Sequence, residues 1–286
     1  MELDIWVLPE ECIAHIISLT SPRDACCCTA VSSKFRSVAE SDTVWVRFLP
    51  SYWEDIVSRL VSPVKFSSKK ALYFHLCHSP IFIDQGNNKS FTLEKVSGII
   101  RYMLGSEELL MLWNDVPIPW NNLPVSDIIP SNKHVESRFL KACLVEDMSY
   151  LQIRGRMKLK LLSPNTAYEA FLIYLHRFGE IEHPPMKVSI SVRSIGKEGE
   201  SHGVEEVVND ANLFTSSVFS TSTKDDGYGA RKRGDGWMEV KMGEFFTGED
   251  DDDACEVEMR LWETTGYVVH VDYGLVVQGI ELRPKE

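Results

Sequence analysis

Between Leu151 and Leu161 the chain alternates strictly: the odd positions hold Leu, Ile, Gly, Met, Leu and Leu, and the even ones hold Gln152, Arg154, Arg156, Lys158 and Lys160. A period of two gathers the apolar side chains on one face of an extended strand and the basic ones on the other, as in a half-buried β-strand. Val188, Ile190 and Val192 repeat the pattern, as do Met238, Val240 and Met242, and then Val257, Met259 and Leu261. Tyr168 to Leu175 is apolar on both parities, which predicts a strand covered on both faces. Ile81-Phe82-Ile83 and Phe91-Thr92-Leu93 flank the turn-type run Gly86-Asn87-Asn88-Lys89, so strands begin near residue 80. Many short strands broken by Gly, Pro, Asn and Asp predict an antiparallel sandwich or jelly roll over 81–286.

The first fifty residues have a different period. Leu8-Pro9-Glu10-Glu11 puts a proline where a first helical turn tolerates it, and Cys12, Ile13, Ile16 and Ile17 recur at helical spacing, predicting one apolar face. Ser21-Pro22-Arg23-Asp24 supplies a capping hydroxyl, a proline and a first-turn carboxylate for a second helix through Cys26-Cys27-Cys28. Ser32 and Ser33 open a third, with Phe35, Val38 and Ala39 inward. Ser41-Asp42 is positioned to cap a fourth, carrying Val44, Trp45, Phe48 and Leu49. Residues 51–80 read as a helical connector with a last short helix from Ser68. So small a helical unit offers more large apolar side chains than it can hide, which calls for a partner surface or for packing against the rest of the chain.

Leu8-Pro9-Glu10, Ile13, Ile16, Pro22, Asp24, Val31-Ser32, Phe35 and Asp42-Thr43-Val44-Trp45 together resemble the F-box over about forty residues. That resemblance implies docking onto the Skp-type adaptor of an SCF-type cullin-RING ubiquitin ligase. By the same resemblance Leu8 and Pro9, with Ile13 and Ile16 behind them, form the adaptor-binding set. Their plain structural role is a helix start and its packed side chains.

The β-rich part resembles the phloem protein 2 family, whose lectin-like domains include Nictaba-type plant lectins. The resemblance rests on Asp235-Gly236-Trp237-Met238-Glu239-Val240-Lys241-Met242-Gly243-Glu244-Phe245-Phe246, on Glu256-Val257-Glu258-Met259, and on Gly274 to Lys285. An F-box ahead of such a domain is characteristic of the plant F-box PP2-B subfamily. Sugar recognition needs an aromatic ring against the C–H face of a pyranose and polar groups for its hydroxyls. Trp113-Asn114-Asp115-Val116-Pro117-Ile118-Pro119-Trp120-Asn121-Asn122 supplies these on a proline-stiffened loop. The resemblance makes Trp113 and Trp120 the carbohydrate-binding pair and Asp115 a hydroxyl acceptor. Trp120 reads as the more exposed of the two; Trp113, ending Leu109-Leu110-Met111-Leu112, reads equally well as a core residue at a strand end. The family pattern is broken at Pro119 and Asn122, which stand where it has aromatics, and at Gly105-Ser106-Glu107, where it has Ser-Ala-Arg.

Composition narrows the partners. Lys plus Arg total 30 against 42 Asp plus Glu, a net charge of −12, which disfavours nucleic acid and anionic membrane as main partners. Met1-Glu2-Leu3-Asp4-Ile5 is acidic where a secretory segment is basic, and no apolar run approaches the ~20 residues of a membrane span, so a cytoplasmic or nuclear location is expected. Ala230-Arg231-Lys232-Arg233 suits nuclear import or simply a solvated loop. Seven cysteines form no disulfide framework and no paired C-x-x-C, and His75, Cys77 and His78 lack a second ligand cluster, so no metal or cofactor is expected. Gly199-Glu200-Ser201-His202-Gly203 satisfies G-x-S-x-G with His270 and Asp272 downstream, but in a loose charged loop without the strand-to-helix turn of a nucleophile elbow. Glu249 to Asp253 are consecutive carboxylates, either a solvated loop or a cover for the basic face of the strand from Leu151.

The resulting expectation is a small all-α F-box over 1–50, a connector over 51–80 and an all-β lectin-like sandwich over 81–286. It would be a non-catalytic substrate-recognition subunit that selects an unknown protein or glycoprotein, through N-glycans or GlcNAc-containing oligosaccharides. The alternative is a lectin-fold module that recognises protein surfaces without sugar.

Overall fold

The computed structural model describes residues 8–61, 63, 65–83, 88–129, 134–176, 183–194, 206–213, 228–249, 255–266 and 274–285. The G-x-S-x-G run, His270, Asp272, Gly86, Asn87 and Asp250 to Asp253 lie outside them. The chain forms two compact units, Met1–Gln85 with Phe91–Arg101, and Gly86–Ser90 with Tyr102–Glu286.

The first unit contains α1 (Glu10–Ser18), α2 (Pro22–Cys28), α3 (Ser33–Ala39), α4 (Asp42–Trp45), α5 (Trp53–Ser58) and α6 (Lys69–His78), then β1 (Ile81–Ile83) and β2 (Lys89–Leu93). Its helices start where short hydroxyl side chains can replace missing backbone partners. Ser21, Ser32 and Ser68 accept from the backbone N–H of Asp24, Phe35 and Ala71, each about 3.1–3.2 Å away. Ser41 makes no such bond, and its helix is a single turn. Ile13, Ile17, Phe35, Val38 and Trp45 are buried together with Leu72 and Tyr73 of α6. The Trp45 ring lies 5.2 Å from that of Tyr73, and its indole N–H donates to Ala39 O at 2.7 Å, so the largest core side chain is both packed and satisfied.

The second unit is an antiparallel sandwich. Its strands are β3 (Ile100–Gly105), β4 (Leu110–Trp113), β5 (Val116–Pro117), β6 (Asn122–Pro124), β7 (Lys141–Val145), β8 (Leu151–Lys158), β9 (Ala167–His176), β10 (Met186–Ser194), β11 (Val207–Ala211), β12 (Arg231–Lys232), β13 (Met238–Phe246), β14 (Cys255–Trp262) and β15 (Leu275–Pro284), with one short helix, α7 (Val125–Ile128). One sheet runs β3-β15-β9-β13-β12, with β6 and β7 joined to β15; the other runs β11-β10-β14-β8-β4-β5. Neighbouring strands in both sheets pair antiparallel. The sheets meet face to face: Gly155 on β8 leaves room for Ile280 of β15, and Gly243 on β13 for Ile190 of β10.

The alternation read at Leu151 holds through Lys158, and then the chain turns into a 3₁₀ helix at Leu159–Leu161. That turn aligns residues three apart, so Leu159 and Leu162 both enter the core, which a continued strand would not allow. The doubly apolar segment is β9, buried on both faces between β15 and β13. On β15 one edge is shared by two partners, Val145 to Cys143 along Leu275 to Val277 and then Gly105 to Tyr102 along Gly279 to Leu282. At the changeover a Cβ on Gly279 would sit 2.0 Å from Leu104 O, so only glycine fits. The basic face of β8 finds its acids within the sheet: Arg156 lies 2.7 Å from the buried Glu258 directly opposite it on β14.

Candidate functional site

In the helical unit Pro9 is the N-cap residue of α1, its carbonyl accepting from Cys12 and Ile13 N–H at 3.1 and 3.2 Å. Leu8 is half-buried, and its carbonyl accepts from Lys34 Nζ at 3.0 Å, tying the entry segment to α3. The expected apolar face of α1 is wider than the core covers. Ile13, 1% exposed, and Ile17 face the core; Cys12, Ile16 and Leu19 follow an i, i+4, i+7 stripe on the adjoining flank, with Ile16 44% exposed. Of the four expected docking residues, Pro9 and Ile16 are therefore on the surface, Leu8 is partly so, and Ile13 supports α1 from beneath.

In the sandwich, β4 and β5 form a hairpin closed by Asn114 and Asp115 alone, with φ of 48° and 63°. Two successive left-handed residues make the two-residue turn whose twist matches that of the strands, and Asn and Asp tolerate that region best after Gly. The turn places Trp113 and Val116 as a cross-strand pair at the sheet end, and Trp113 is 46% exposed. Tyr150, also exposed, lies alongside: Asn114 N–H donates to its carbonyl at 3.3 Å. Tyr150 has φ 54°, held because its N–H donates to Glu263 Oε2 at 3.1 Å while Gly266 N–H meets the same oxygen at 2.8 Å. Burial opposes ionisation of Glu263, but hydrogen bonds from Thr265, Tyr150 and Gly266 outweigh it and hold its carboxyl below the usual range.

Asp115 projects into solvent at the turn, its Oδ1 3.7 Å from Arg154 on β8. Trp120 is instead half-buried, and its indole N–H donates to Leu109 O at 2.6 Å. The order expected of the two tryptophans is thus reversed. Trp113 escapes the core because β4 ends there, while the Trp120 indole is turned inward to donate to Leu109 O. Tyr150 and Val116 are exposed near Trp113 as well, and nothing in their local sequence marks them out. The hairpin end carries an indole, a phenol, and an exposed carboxylate beside a guanidinium, the groups that meet a sugar's C–H surface and hydroxyls or a partner's polar rim.

Among the described residues no three His, Cys, Asp or Glu side chains stand close enough to hold a metal, and no helix is long and apolar enough to cross a membrane.

A helical unit with a spare apolar stripe, followed by an antiparallel sandwich with an aromatic hairpin, defines a two-part recognition protein. Residues 5–51 match the F-box-like family model and residues 100–284 match phloem protein 2. Among relatives in Arabidopsis thaliana, F-box protein PP2-B15 is 37% identical, with 98% of this chain and 96% of the relative covered. F-box protein PP2-B10 is 35% identical, with 96% of this chain and 92% of the relative covered. The chain belongs to the F-box proteins that carry a phloem protein 2 domain, the PP2-B group. Among solved structures, the CBM22-1–GH10 modules of Clostridium thermocellum endo-1,4-β-D-xylanase 10B align at 10% identity and TM-score 0.29, covering 64% of this chain and 27% of theirs. So weak a likeness bears on neither fold nor ligand.

Proposed function

We propose that the chain is the substrate-recognition subunit of an SCF-type cullin-RING ubiquitin ligase, working in the cytoplasm or nucleus, and that the chain itself performs no chemistry. The observation that carries this reading is the second apolar stripe of α1, Cys12-Ile16-Leu19, lying within the F-box-like match. It gives a Skp-type adaptor an apolar groove-filling surface beginning at Leu8 and Pro9, while Ile13 keeps α1 in place. Co-purification of the full chain with a Skp-type adaptor, with and without Pro9→Ala and Ile16→Asp, tests it. A complex insensitive to both substitutions, or no complex at all, overturns it.

The sandwich then selects the target. The hairpin supports recognition of N-glycans or GlcNAc-containing oligosaccharides, Trp113 stacking on the sugar and Asp115 accepting its hydroxyls, with Trp120 backing the loop. A second reading, recognition of a protein surface without sugar, is favoured by the internal use of the Trp120 N–H and by Pro119 and Asn122 where the family has aromatics. A glycan array probed with the wild-type chain and Trp113→Ala separates the two: signals lost in the variant support the glycan, and silence of the wild type supports the protein surface.

A further inference from the structure

The outward face of the six-stranded sheet carries a polar cluster used by neither the hairpin aromatics nor the docking helix. The register of β8 and β14 sets Arg154 directly opposite Arg260, with Leu110 beyond Arg154 and Ser189 beyond Arg260. In the adjacent row Gln152 faces the half-buried Trp262, flanked by Leu112 and Lys187. In the row on the other side Arg156 faces Glu258, then Ser191.

Like charges directly opposite each other destabilise an antiparallel pair. The acids at hand relieve them only in part, each guanidinium meeting one carboxylate at its rim. Glu258 is held by Arg156 at 2.7 Å and Arg193 at 2.8 Å; Glu206 approaches Arg260 at 3.2 Å and the solvent-exposed Asp115 approaches Arg154 at 3.7 Å. Burial, and then the charge of Arg260, lower the pKa of Arg154 despite Glu258 and Asp115. Four buried polar atoms on this face have no hydrogen-bond partner among the described residues: Nε of Arg154, Nε of Arg260, Oε1 of Gln152 and Oγ of Ser191. Gln152 is 8% and Ser191 5% exposed, so these are not groups that water satisfies freely. Both guanidiniums keep 22% of their side chains in solvent, and that of Arg260 lies 5.0 Å from the Trp262 ring.

We propose that this face is a binding site for an acidic saccharide, a hexuronate unit whose carboxylate bridges Arg154 and Arg260. The groups present ask for three things at once. Two guanidiniums need an oxyanion, Gln152 Oε1 needs a hydroxyl donor, and the indole beside them needs an apolar C–H surface. A uronate supplies all three. A neutral sugar leaves the paired charges unrelieved, an inorganic anion leaves Gln152 and the indole unmet, and an acidic peptide lacks the hydroxyls. The site adjoins the hairpin through the Arg154–Asp115 contact but requires neither Trp113 nor Trp120.

Calorimetric titration of the full chain with tetragalacturonic acid tests it, alongside the methyl-esterified tetramer, tetraglutamate and inorganic phosphate. Tetragalacturonate is expected to bind and to weaken as salt rises, with the ester, tetraglutamate and phosphate each at least about tenfold weaker. Arg154→Gln and Arg260→Gln are each expected to weaken binding at least about tenfold, and Arg260→Lys less than Arg260→Gln. Arg260→Gln is expected to melt close to wild type, because the loss of the Glu206 ion pair and of the Trp262 ring contact is offset by removal of a like-charge contact, and to keep co-purifying with the adaptor. Absence of tetragalacturonate binding, equal binding of ester, tetraglutamate or phosphate, or indifference to both glutamine substitutions would each overturn the proposal. None of these outcomes depends on whether the glycan array reports a ligand at the hairpin.

Discussion

Arg233 donates from Nη1 to Glu281 Oε2 at 2.7 Å inside the second unit, while Arg138 reaches the other carboxylate oxygen at 3.0 Å. Arg233 also meets Glu239 at 3.1 Å and Asp235 at 3.0 Å, and Arg283 closes on Glu239 at 2.8 Å, so Asp235 and Trp237 of the β12-β13 turn are tied to β15. Glu281 and Glu239 are buried, and breaking such a network from one side leaves uncompensated charge. Glu281→Gln is expected to destabilise the sandwich by about 3–5 kcal/mol, read from urea melts.

The same carboxyl sets an acid limit. Burial alone would raise the pKa of Glu281, but Arg138, Arg233 and Arg283 reverse that and hold it below the ordinary value. A carboxyl depressed on folding gives its full stabilisation above its unfolded pKa and loses it as pH falls through the folded value. Melting temperature should therefore be level near neutrality and fall from about pH 4 downward, the unfolded range of Glu. Glu281→Gln should start lower and fall less steeply over that window; parallel curves would refute the assignment.

Much of the local architecture is legible in residues close in sequence. Ser21, Ser32 and Ser68 are readable as caps because a hydroxyl three residues before its acceptor N–H is a local event. The alternation from Leu151 is readable for the same reason. What escapes is decided by distant neighbours. That only part of the apolar face of α1 is covered depends on α3 and α4 packing over Ile13 and Ile17 and leaving Ile16 bare. That Trp113 is exposed depends on β4 ending at the sheet boundary. Arg154 and Arg260 become neighbours only through the β8–β14 register, a pairing across about a hundred residues that no periodicity announces.

The covered and bare parts of that α1 face make opposite demands on substitution. Ile13→Ala should cost about 2–5 kcal/mol, because the cavity opens inside a packed core. Ile16→Asp should shift stability by no more than about 0.5 kcal/mol, since its site is solvated, yet abolish adaptor co-purification. Loss of adaptor binding by a well-folded Ile16→Asp chain separates docking from folding. Equal destabilisation by both would show that the outer stripe is covered within the chain.

Trp120 and Trp113 divide similarly. Trp120→Phe keeps an aromatic ring but deletes the fused pyrrole with its N–H, so a loss of at least about 1 kcal/mol is expected, from the missing bond to Leu109 O and from the smaller ring. Trp113→Ala should melt close to wild type while changing the array or partner profile. If Trp113→Ala proves the more destabilising, the hairpin aromatic is structural.

Thiol chemistry gives an independent map of both units. Burial pushes Cys143 up to about 12 and Cys77 to about 11, whereas Cys12 and Cys27 are exposed. The thiolate is the nucleophile, so iodoacetamide at pH 8 should label Cys12 and Cys27 in the native chain and reach Cys77 and Cys143 only after unfolding. Cys12 sits on the outer stripe of α1, whereas Cys27 belongs to α2. Adding the Skp-type adaptor should slow labelling of Cys12 more than that of Cys27, which peptide mass spectrometry resolves. Unchanged labelling of Cys12 within an intact complex would place the adaptor on another face of the helical unit.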